Sequence, residues 1–301
     1  VSRWWPMKSS MLATKVRVPP RPVYTVRRDR LTRTLEDEIP RHKLAVVTAP
    51  AGYGKTTLLS QWASTTAIPV GWVSLEDDDN DLDRFLRYVV AAWNDVQPGL
   101  SDSPLGWLVG SMFPDREAVL SEFINQASRI DGHVVLVLDD FHDITDSAIH
   151  DALTFLIDHL PTSLHFAVSG RAAPPLPLAR YRARGELFEL GAGDLTFQPE
   201  ESSEFLTSSM GLDLSPEQIS ALHEQLEGWA AGLQLASLGL RRASDPTEST
   251  GIVGRHRYIA DYLAEEVLDR LDEHPHRDQV VDLLEVPSAH DHLLVDRVVV
   301  L

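Results

Sequence analysis

One stretch of sequence constrains the fold of this chain more than any other. The apolar run 44–47 predicts a buried strand, the run 58–63 predicts a helix, and the loop between them ends in Gly54, Lys55 and Thr56. A strand, a glycine-containing loop and a helix start are the context of a phosphate-binding P-loop, the Walker A motif. Backbone N–H groups of the loop and the helix N-terminus converge on phosphate oxygens in such a motif. The nucleotide-binding residues predicted in the loop are Ala51, Gly52, Tyr53, Gly54, Lys55, Thr56 and Thr57.

The residue types of the loop suit that chemistry. Gly52 and Gly54 permit the backbone shape and a close approach to the ligand. Lys55 can reach the β- and γ-phosphates, and the hydroxyl of Thr56 can ligate Mg²⁺. The first glycine of the usual pattern is replaced by Ala49. The alternative is an ordinary strand–turn–helix with a surface lysine, which the second motif described below disfavours.

Composition limits the classes of protein and of partner. The 301 residues suffice for one large domain or two to three smaller ones. There are 27 basic and 45 acidic residues, a net charge of −18, which argues against this segment binding nucleic acid by itself. Without cysteine, disulfides and thiolate metal sites are excluded. We see neither a signal-peptide core nor 18 consecutive apolar residues, so we expect a cytoplasmic protein without a membrane span.

A second motif lies about 80 residues further along the chain. The apolar run 133–138 predicts a strand that ends in Asp139 and Asp140, the Walker B form. We expect this strand beside the P-loop strand, with Asp139 holding Mg²⁺ through water. Asp140 then stands where a base or a water-orienting carboxylate is useful. An apolar run ending in two acids is weak alone, but in combination with Lys55 it is a strong indication of a nucleotide site.

A cation follows the next predicted strand, which covers 164–168. Arg171 comes shortly after it and can face the γ-phosphate, either to stabilise charge on the transferred phosphoryl group or to sense whether that phosphate is present. The alternative is a surface arginine in a loop.

Two other segments have simpler interpretations. Residues 1–26 carry four prolines and little periodicity, which predicts an extended arm. The acidic run 76–81 predicts a solvated loop that caps the next helix. A metal site in this run is the less favoured alternative, because free carboxylates repel a triphosphate.

Strands and helices alternate over the first two thirds of the chain, which predicts a doubly wound α/β domain. The predicted strands are 44–48, 70–75, 134–139, 164–169 and 187–190. From about residue 194 the pattern becomes all-helical. Helices open at Pro199 and Ser215, another covers 229–240, and a last one covers 258–271 after a polar linker.

In combination, these motifs resemble the nucleotide-binding module of the MalT-like, LuxR-type ATP-dependent regulators. That family belongs to the signal transduction ATPases with numerous domains (STAND). The matching sequence segments are 49–58, 72–75, 136–142, 171 with 174–180, 228–235 and 262–268. The likeness runs from about 14 to about 285, and alanine at position 49 fits this family's own version of the loop.

The resemblance implies an architecture. It implies a P-loop NTPase parallel sheet flanked by helices, followed by a helical bundle and a partial winged-helix-like domain. The expected domains are an extended arm at 1–26, a nucleotide-binding domain at 27–193, a helical bundle at 194–250 and the winged-helix-like domain at 251–301. The segment around Arg28 is implied to lie near the adenine.

The resemblance also implies a function, with ATP or ADP and Mg²⁺ as cofactors. In this family ADP holds a resting monomer, whereas inducer and ATP favour a form that self-associates. DNA is bound through a C-terminal domain, which we expect to be absent from this chain. The leading hypothesis is therefore a regulatory switch with slow ATP hydrolysis. The alternatives are a stand-alone AAA+-like remodelling ATPase and a degenerate interaction module that binds no nucleotide.

Overall fold

A computed structural model describes residues 11–106 and 116–242 of the chain. The chain divides into two compact units, Val1–Ala231 and Gly232–Leu301. The second unit is described only as far as residue 242. The predicted helix at 258–271 and the winged-helix-like domain at 251–301 lie outside the described residues and stay predictions.

A five-stranded parallel sheet forms the centre of the first unit. The strands are β1 (Leu44–Thr48), β2 (Val70–Ser74), β3 (Val134–Asp139), β4 (Leu164–Gly170) and β5 (Leu187–Leu190). Their order across the sheet is β2-β3-β4-β1-β5. The predicted α/β class is confirmed, and the five predicted strands agree with the observed ones to within one residue.

The position of the Walker B strand differs from the prediction. β4 lies between β1 and β3, with Thr48 paired to Gly170 and Leu138 paired to Val168. The expectation that Asp139 ends the strand next to the P-loop strand was therefore wrong. Strands of a parallel sheet are buried on both faces and read as continuous apolar runs, so their sequences do not tell which strands are neighbours. Because all strands are parallel, their carboxyl ends still meet at one edge.

Helices cover both faces of this sheet and continue beyond it. They are α1 (Asp29–Glu38), α2 (Lys55–Ala63), α3 (Leu82–Val96), α4 (Arg116–Ala127), α5 (Ser147–His159), α6 (Leu178–Ala183), α7 (Ala192–Leu195), α8 (Pro199–Glu204), α9 (Pro216–Leu226) and α10 (Ala230–Arg242). Helix α8 begins at Pro199 as predicted, and α9 begins at Pro216, directly after Ser215 as its N-cap. Proline is favoured at a first helical position because its missing N–H has no partner there anyway.

Two apolar clusters hold the layers together. Helices α3, α4 and α5 pack on one face of the sheet, and α1 and α2 pack on the other. Consecutive residues of β1 alternate between them, with Val46 in the first cluster and Val47 in the second, as the two-residue period of a strand requires. The tryptophans Trp93 and Trp62 are fully buried in the first and second cluster respectively. The P-loop is thus carried between a rigid strand and a well-packed helix.

The described part of the N-terminal arm, from residue 11 onward, is docked on the sheet. It forms no helix or strand between residues 11 and 28, yet Lys15 is only 4% exposed. The N–H of Ser74, at the end of the edge strand β2, donates to the carbonyl oxygen of Lys15 at 2.8 Å. The N–H of Leu12 donates to the hydroxyl of Tyr88 on α3 at 3.2 Å.

The acidic run after β2 is only partly solvated. Asp81 caps α3 as predicted, by accepting the N–H of Arg84 at 2.8 Å. Asp79, however, is 0% exposed. Its carboxylate contacts the ammonium of Lys15 at 2.6 Å and the guanidinium of Arg84 at 2.9 Å. The prediction of a solvated loop was therefore wrong for Asp79, because one of its two cations, Lys15, comes from a distant part of the chain. Among the described residues, no group of three or more His, Cys, Asp or Glu has a metal-binding arrangement.

Candidate nucleotide-binding site

The loop after β1 has the backbone shape that a P-loop needs. Gly52 and Gly54 both have φ of 78°, in the left-handed region that side chains disfavour. Helix α2 begins directly after Gly54, at Lys55. The first N–H groups of this helix have no intrahelical acceptor and carry its positive dipole end, so this end suits an anion. Tyr53 packs against the α1–α2 cluster, and Thr57 lies in the first helical turn.

Lys55 is buried with its ammonium folded back over the loop. Its Nζ donates to the carbonyl oxygens of Ala49 at 2.8 Å and Pro50 at 3.1 Å. These acceptors are uncharged, and the positive charge of Lys55 also opposes the rise that burial causes in the pKa of Asp139. The lysine thus lies at the carboxyl edge of the sheet, among the groups that the sequence predicted for phosphate binding.

The structure gives a physical reason for alanine at position 49. Ala49 is buried in the α1–α2 cluster, and its N–H donates to the carbonyl oxygen of Gly170 at 3.3 Å. Among the described non-glycine residues, only Asp140 and Glu227 have positive φ. Position 49 therefore has no conformational need for glycine, and the methyl group adds apolar contacts. The departure from the usual pattern leaves the loop geometry intact.

Asp139 meets the P-loop helix although β4 separates their strands. Its carboxylate is buried at the end of β3 and accepts a hydrogen bond from the hydroxyl of Ser169, and the hydroxyl of Thr56 lies close enough to stabilise its charged form. Burial raises the pKa of Asp139 to about 6, helped by the charge of Asp140, while the two hydroxyls and Lys55 oppose that rise. Ser169, from the intervening strand, lies between the two motifs. The structure thus brings Thr56 and Asp139 close together at the carboxyl edge of the sheet.

Asp140 follows in an unusual conformation. Its φ of 57° and ψ of 38° are left-handed, a region that non-glycine residues enter rarely and that is frequent at functional sites. Its N–H donates to the hydroxyl of Ser169 at 3.3 Å, and its side chain is 44% exposed. The ring of His142 lies 3.9 Å from an oxygen of Asp140 and 3.5 Å from one of Asp143. The backbone therefore turns this carboxylate out toward solvent beside Asp139.

Arg171 lies at the same edge of the sheet, directly after β4. It is partly buried and close enough to Asp143 to affect that residue's ionisation. Burial raises the pKa of Asp143, the charges of Asp140 and Asp77 add to the effect, and Arg171 opposes it. The structure thus brings Arg171 into the acidic surroundings of Asp140.

Arg28 is engaged by protein groups. Its guanidinium, over the ring of Phe197, donates to Glu201 at 3.2 Å and to the carbonyl oxygens of Leu195 and Thr196 at 2.9 and 3.1 Å. Its backbone N–H donates to the side-chain oxygen of Gln61 on α2 at 3.2 Å. Arg28 therefore connects the P-loop helix to the segment that follows β5, and its contact with a nucleotide stays a prediction.

Two further protein groups contact the P-loop. The indole N–H of Trp229 donates to the carbonyl oxygen of Ala51 at 3.3 Å, and the N–H of Ala231 donates to that of Gly52 at 3.0 Å. The sequence predicted a helix over 229–240 but gave Trp229 and Ala231 no role in the site. Ser169 was likewise not among the predicted site residues. The segment 228–235 was among those that carried the family resemblance, and this was the only sequence signal that pointed to Trp229.

Comparison with known proteins agrees with this geometry. The model of the AAA domain family matches residues 39–170. The chain is 34% identical over 267 residues to the HTH-type transcriptional regulator MalT of Yersinia enterocolitica serotype O:8 / biotype 1B, and equally to that of Yersinia pestis strain Pestoides F. The chain belongs to the MalT-like P-loop ATPases. Each alignment covers 87% of the chain and 29% of the relative, so this MalT-like module spans less than a third of the length of those regulators.

Solved structures support the fold. The Walker-type ATPase of Pyrococcus abyssi has a TM-score of 0.57 at 14% identity, over 87% of this chain and 79% of that one. A STAND protein with a tetratricopeptide repeat sensor from Pyrococcus horikoshii has a TM-score of 0.55 at 15% identity, over 84% and 35%. At these identities the likeness concerns the fold alone. Within the described residues, no helix of the MalT-like module is long and apolar enough to cross a bilayer.

Proposed function

We propose that this chain is the nucleotide switch of a LuxR-type transcription regulator, which binds ATP or ADP with Mg²⁺ and hydrolyses ATP slowly. The observation that carries the proposal is that the hydroxyl of Thr56, at the start of the P-loop helix, and the ammonium of Lys55 lie close enough to the buried carboxylate of Asp139 to stabilise its charged form. A phosphate-binding helix start and a buried carboxylate at one sheet edge are the two halves of a Mg²⁺-nucleotide site.

The donor set fits a magnesium ion. Thr56 supplies a hydroxyl oxygen and Asp139 a carboxylate oxygen, and hard oxygen donors are what this cation takes in nucleotide sites. Burial disfavours the charged form of Asp139 and raises its pKa to about 6, so a bound cation offsets an existing electrostatic cost. When bound, Mg²⁺ neutralises charge on the β- and γ-phosphates.

Three other side chains have proposed roles in the nucleotide cycle. Lys55 holds the β- and γ-phosphates, for which its ammonium must exchange two carbonyl partners for phosphate oxygens. Asp140 orients the attacking water, because its carboxylate is exposed next to Asp139. Arg171 senses the γ-phosphate from the end of β4. Arg28 contributes through the segment 26–28, which Gln61 ties to the P-loop helix.

The regulatory part of the proposal comes from the relatives. Because the matched proteins are HTH-type transcriptional regulators, we propose that the module acts in the cytoplasm as part of such a regulator. ADP favours a monomer and ATP favours self-association, and DNA is contacted by a domain that lies C-terminal to the residues described here.

The contents of the purified protein test nucleotide binding. Denaturing the protein and identifying the released small molecules should yield ADP or ATP; no nucleotide, together with no binding of added ATP, would support the degenerate interaction module instead. Size-exclusion chromatography in ADP and in ATP, with turnover measured per protomer, tests the switch. Slow turnover with a larger particle only in ATP is the expected result, whereas fast turnover and a constitutive ring would favour a remodelling ATPase.

A further inference from the structure

One amide side chain fastens the loop after β2 to the segment after β3. The side-chain oxygen of Asn80 accepts the N–H groups of Thr145 at 2.7 Å and Asp146 at 3.0 Å. Its side-chain nitrogen donates to the carbonyl oxygens of Asp143 at 2.7 Å and Asp77 at 3.0 Å. This side chain therefore uses both amide atoms to join two segments about 65 residues apart in sequence.

The segment that Asn80 holds begins at the Walker B motif. Asp140 starts a single turn, Phe141–Asp143, in which the N–H of Asp143 donates to the carbonyl oxygen of Asp140 at 3.1 Å. The segment ends where Asp146 caps α5 by accepting the N–H of Ala148 at 2.8 Å. Asn80 binds the far end of this short turn, so it limits how the left-handed backbone of Asp140 can relax.

The loop that carries Asn80 is itself anchored. The neighbouring Asp79 is fully buried and contacts both Lys15 and Arg84, and it accepts the N–H of Glu76 at 3.0 Å. A side chain on a fixed loop can hold a neighbouring segment in place, whereas a side chain on a mobile loop cannot. The buried cluster around Asp79 thus gives Asn80 a rigid base.

We infer that Asn80 is a positioning residue for ATP hydrolysis: it holds the 140–146 segment so that the carboxylate of Asp140 stays at the reacting edge of the site. The inference rests on the proposed function, in which Asp140 orients the attacking water. Asn80 contacts neither the P-loop nor the buried carboxylate of Asp139 through the hydrogen bonds described above, so its effect falls on turnover rather than on nucleotide affinity.

The test is a turnover and affinity comparison of Asn80→Ala with the unaltered chain. A misplacement of about 1 Å can cost up to about 100-fold in rate, so we expect turnover to fall roughly ten- to hundredfold while the Kd for ATP changes less than about twofold. Asn80→Asp keeps an acceptor oxygen but sets a carboxylate oxygen against the carbonyl oxygens of Asp143 and Asp77, so its turnover should fall at least as far as that of Asn80→Ala. Asp78→Ala, an exposed change in the same turn, is the matched control and should leave turnover and melting temperature unchanged.

A double variant separates positioning from general stability. If Asn80 acts through Asp140, adding Asn80→Ala to Asp140→Asn should cause no further loss of turnover, because the placed group has already been removed. Multiplicative losses would overturn the inference, as would normal turnover in Asn80→Ala. Either of these two results leaves the proposed hydrolysis intact, provided that Asp140→Asn alone turns over ATP slowly.

A readout without catalysis covers the remaining case. If the unaltered chain binds ATP but never turns it over, the hydrolysis proposal fails. Amide hydrogen exchange of Thr145 and Asp146 then decides whether Asn80 holds the segment. Faster exchange there in Asn80→Ala, with strand β3 unchanged, supports the holding role, and unchanged exchange overturns it.

Discussion

Removing Lys15 should destabilise the whole α/β unit, although the residue lies in an arm without regular structure. Its ammonium is buried between Asp79 and Glu76, at 2.6 and 3.0 Å. Lys15→Ala leaves the fully buried Asp79 with Arg84 as its remaining cation in that cluster. Breaking a buried pair by removing one partner costs about 3–5 kcal/mol, and the surviving Arg84 contact favours the lower end, about 3 kcal/mol.

Thermal and urea unfolding measure this cost. For a unit of this size, 1 kcal/mol corresponds to about 2–4 °C, so the melting temperature should fall by roughly 6–12 °C. Burial alone lowers the pKa of Lys15, but hydrogen bonds and charges from Asp79 and Glu76 outweigh it and raise the pKa. The contribution of the Lys15 ion pairs to the free energy of unfolding is therefore fully present at neutral pH. It is lost only as pH rises above the ordinary lysine pKa of about 10.4.

Two variants show whether the loss comes from the ion pair. Arg17→Ala, an exposed change in the same arm, should shift the melting temperature by no more than about 2 °C. Lys15→Met combined with Asp79→Leu should recover much of the loss, because apolar replacement of a buried pair is often neutral. A shift below about 2 °C in Lys15→Ala would refute the assignment of a buried, stabilising cluster.

Three further predictions follow from the geometry. Asp140→Asn should keep ATP binding and slow hydrolysis by about 100-fold or more; normal turnover in a phosphate-release assay would remove Asp140 from its role. Gly228 has φ of 70°, and a Cβ added there would lie 2.4 Å from the carbonyl oxygen of Phe197. In urea unfolding, Gly228→Ala should therefore lower the free energy of unfolding by more than the roughly 1–2 kcal/mol that a left-handed backbone alone costs a non-glycine residue. Gly211→Ala, with φ of 66° and open space, carries that penalty alone, and equal costs would contradict the close contact. Burial lowers the pKa of His165, so as pH falls the unfolded chain takes up the proton before the folded one, and stability falls below about pH 6.5. Between about pH 7.5 and 5.5, His165→Asn should therefore lose less stability than the unaltered chain. An equal loss would contradict a lowered pKa for His165.

The elements of the fold were predictable because each depends on local sequence. Apolar runs such as 134–138 are bounded by polar residues, and the P-loop turn is marked by Gly52 and Gly54. The order of the strands was not predictable, because a buried parallel strand shows the same pattern whichever neighbour it has. Thus the insertion of β4 beside β1, and with it the central place of Ser169, needed the structure.

The candidate site was predictable where residue chemistry is specific. Lys55, Thr56 and Asp139 were identified from spacing, and the structure brings them to one edge. Asp79 and Asn80 were not identified, because an acidic run normally forms a solvated loop. Their decisive partners, Lys15 and the 143–146 segment, lie more than 60 residues away in opposite directions along the chain. Long-range hydrogen bonds of common polar residues leave no pattern in a single sequence.

Binding of ATP to the Lys55→Ala variant tests the central claim most directly. Fluorescent ATP is titrated into the unaltered chain, Lys55→Ala and Lys43→Ala. Lys43→Ala is the control, because Lys43 directly precedes β1, at the end of the strand away from the P-loop. The account predicts saturable, Mg²⁺-dependent binding that persists in Lys43→Ala and disappears in Lys55→Ala, with all three proteins folded. Undiminished affinity in folded Lys55→Ala would contradict the assignment of the nucleotide site.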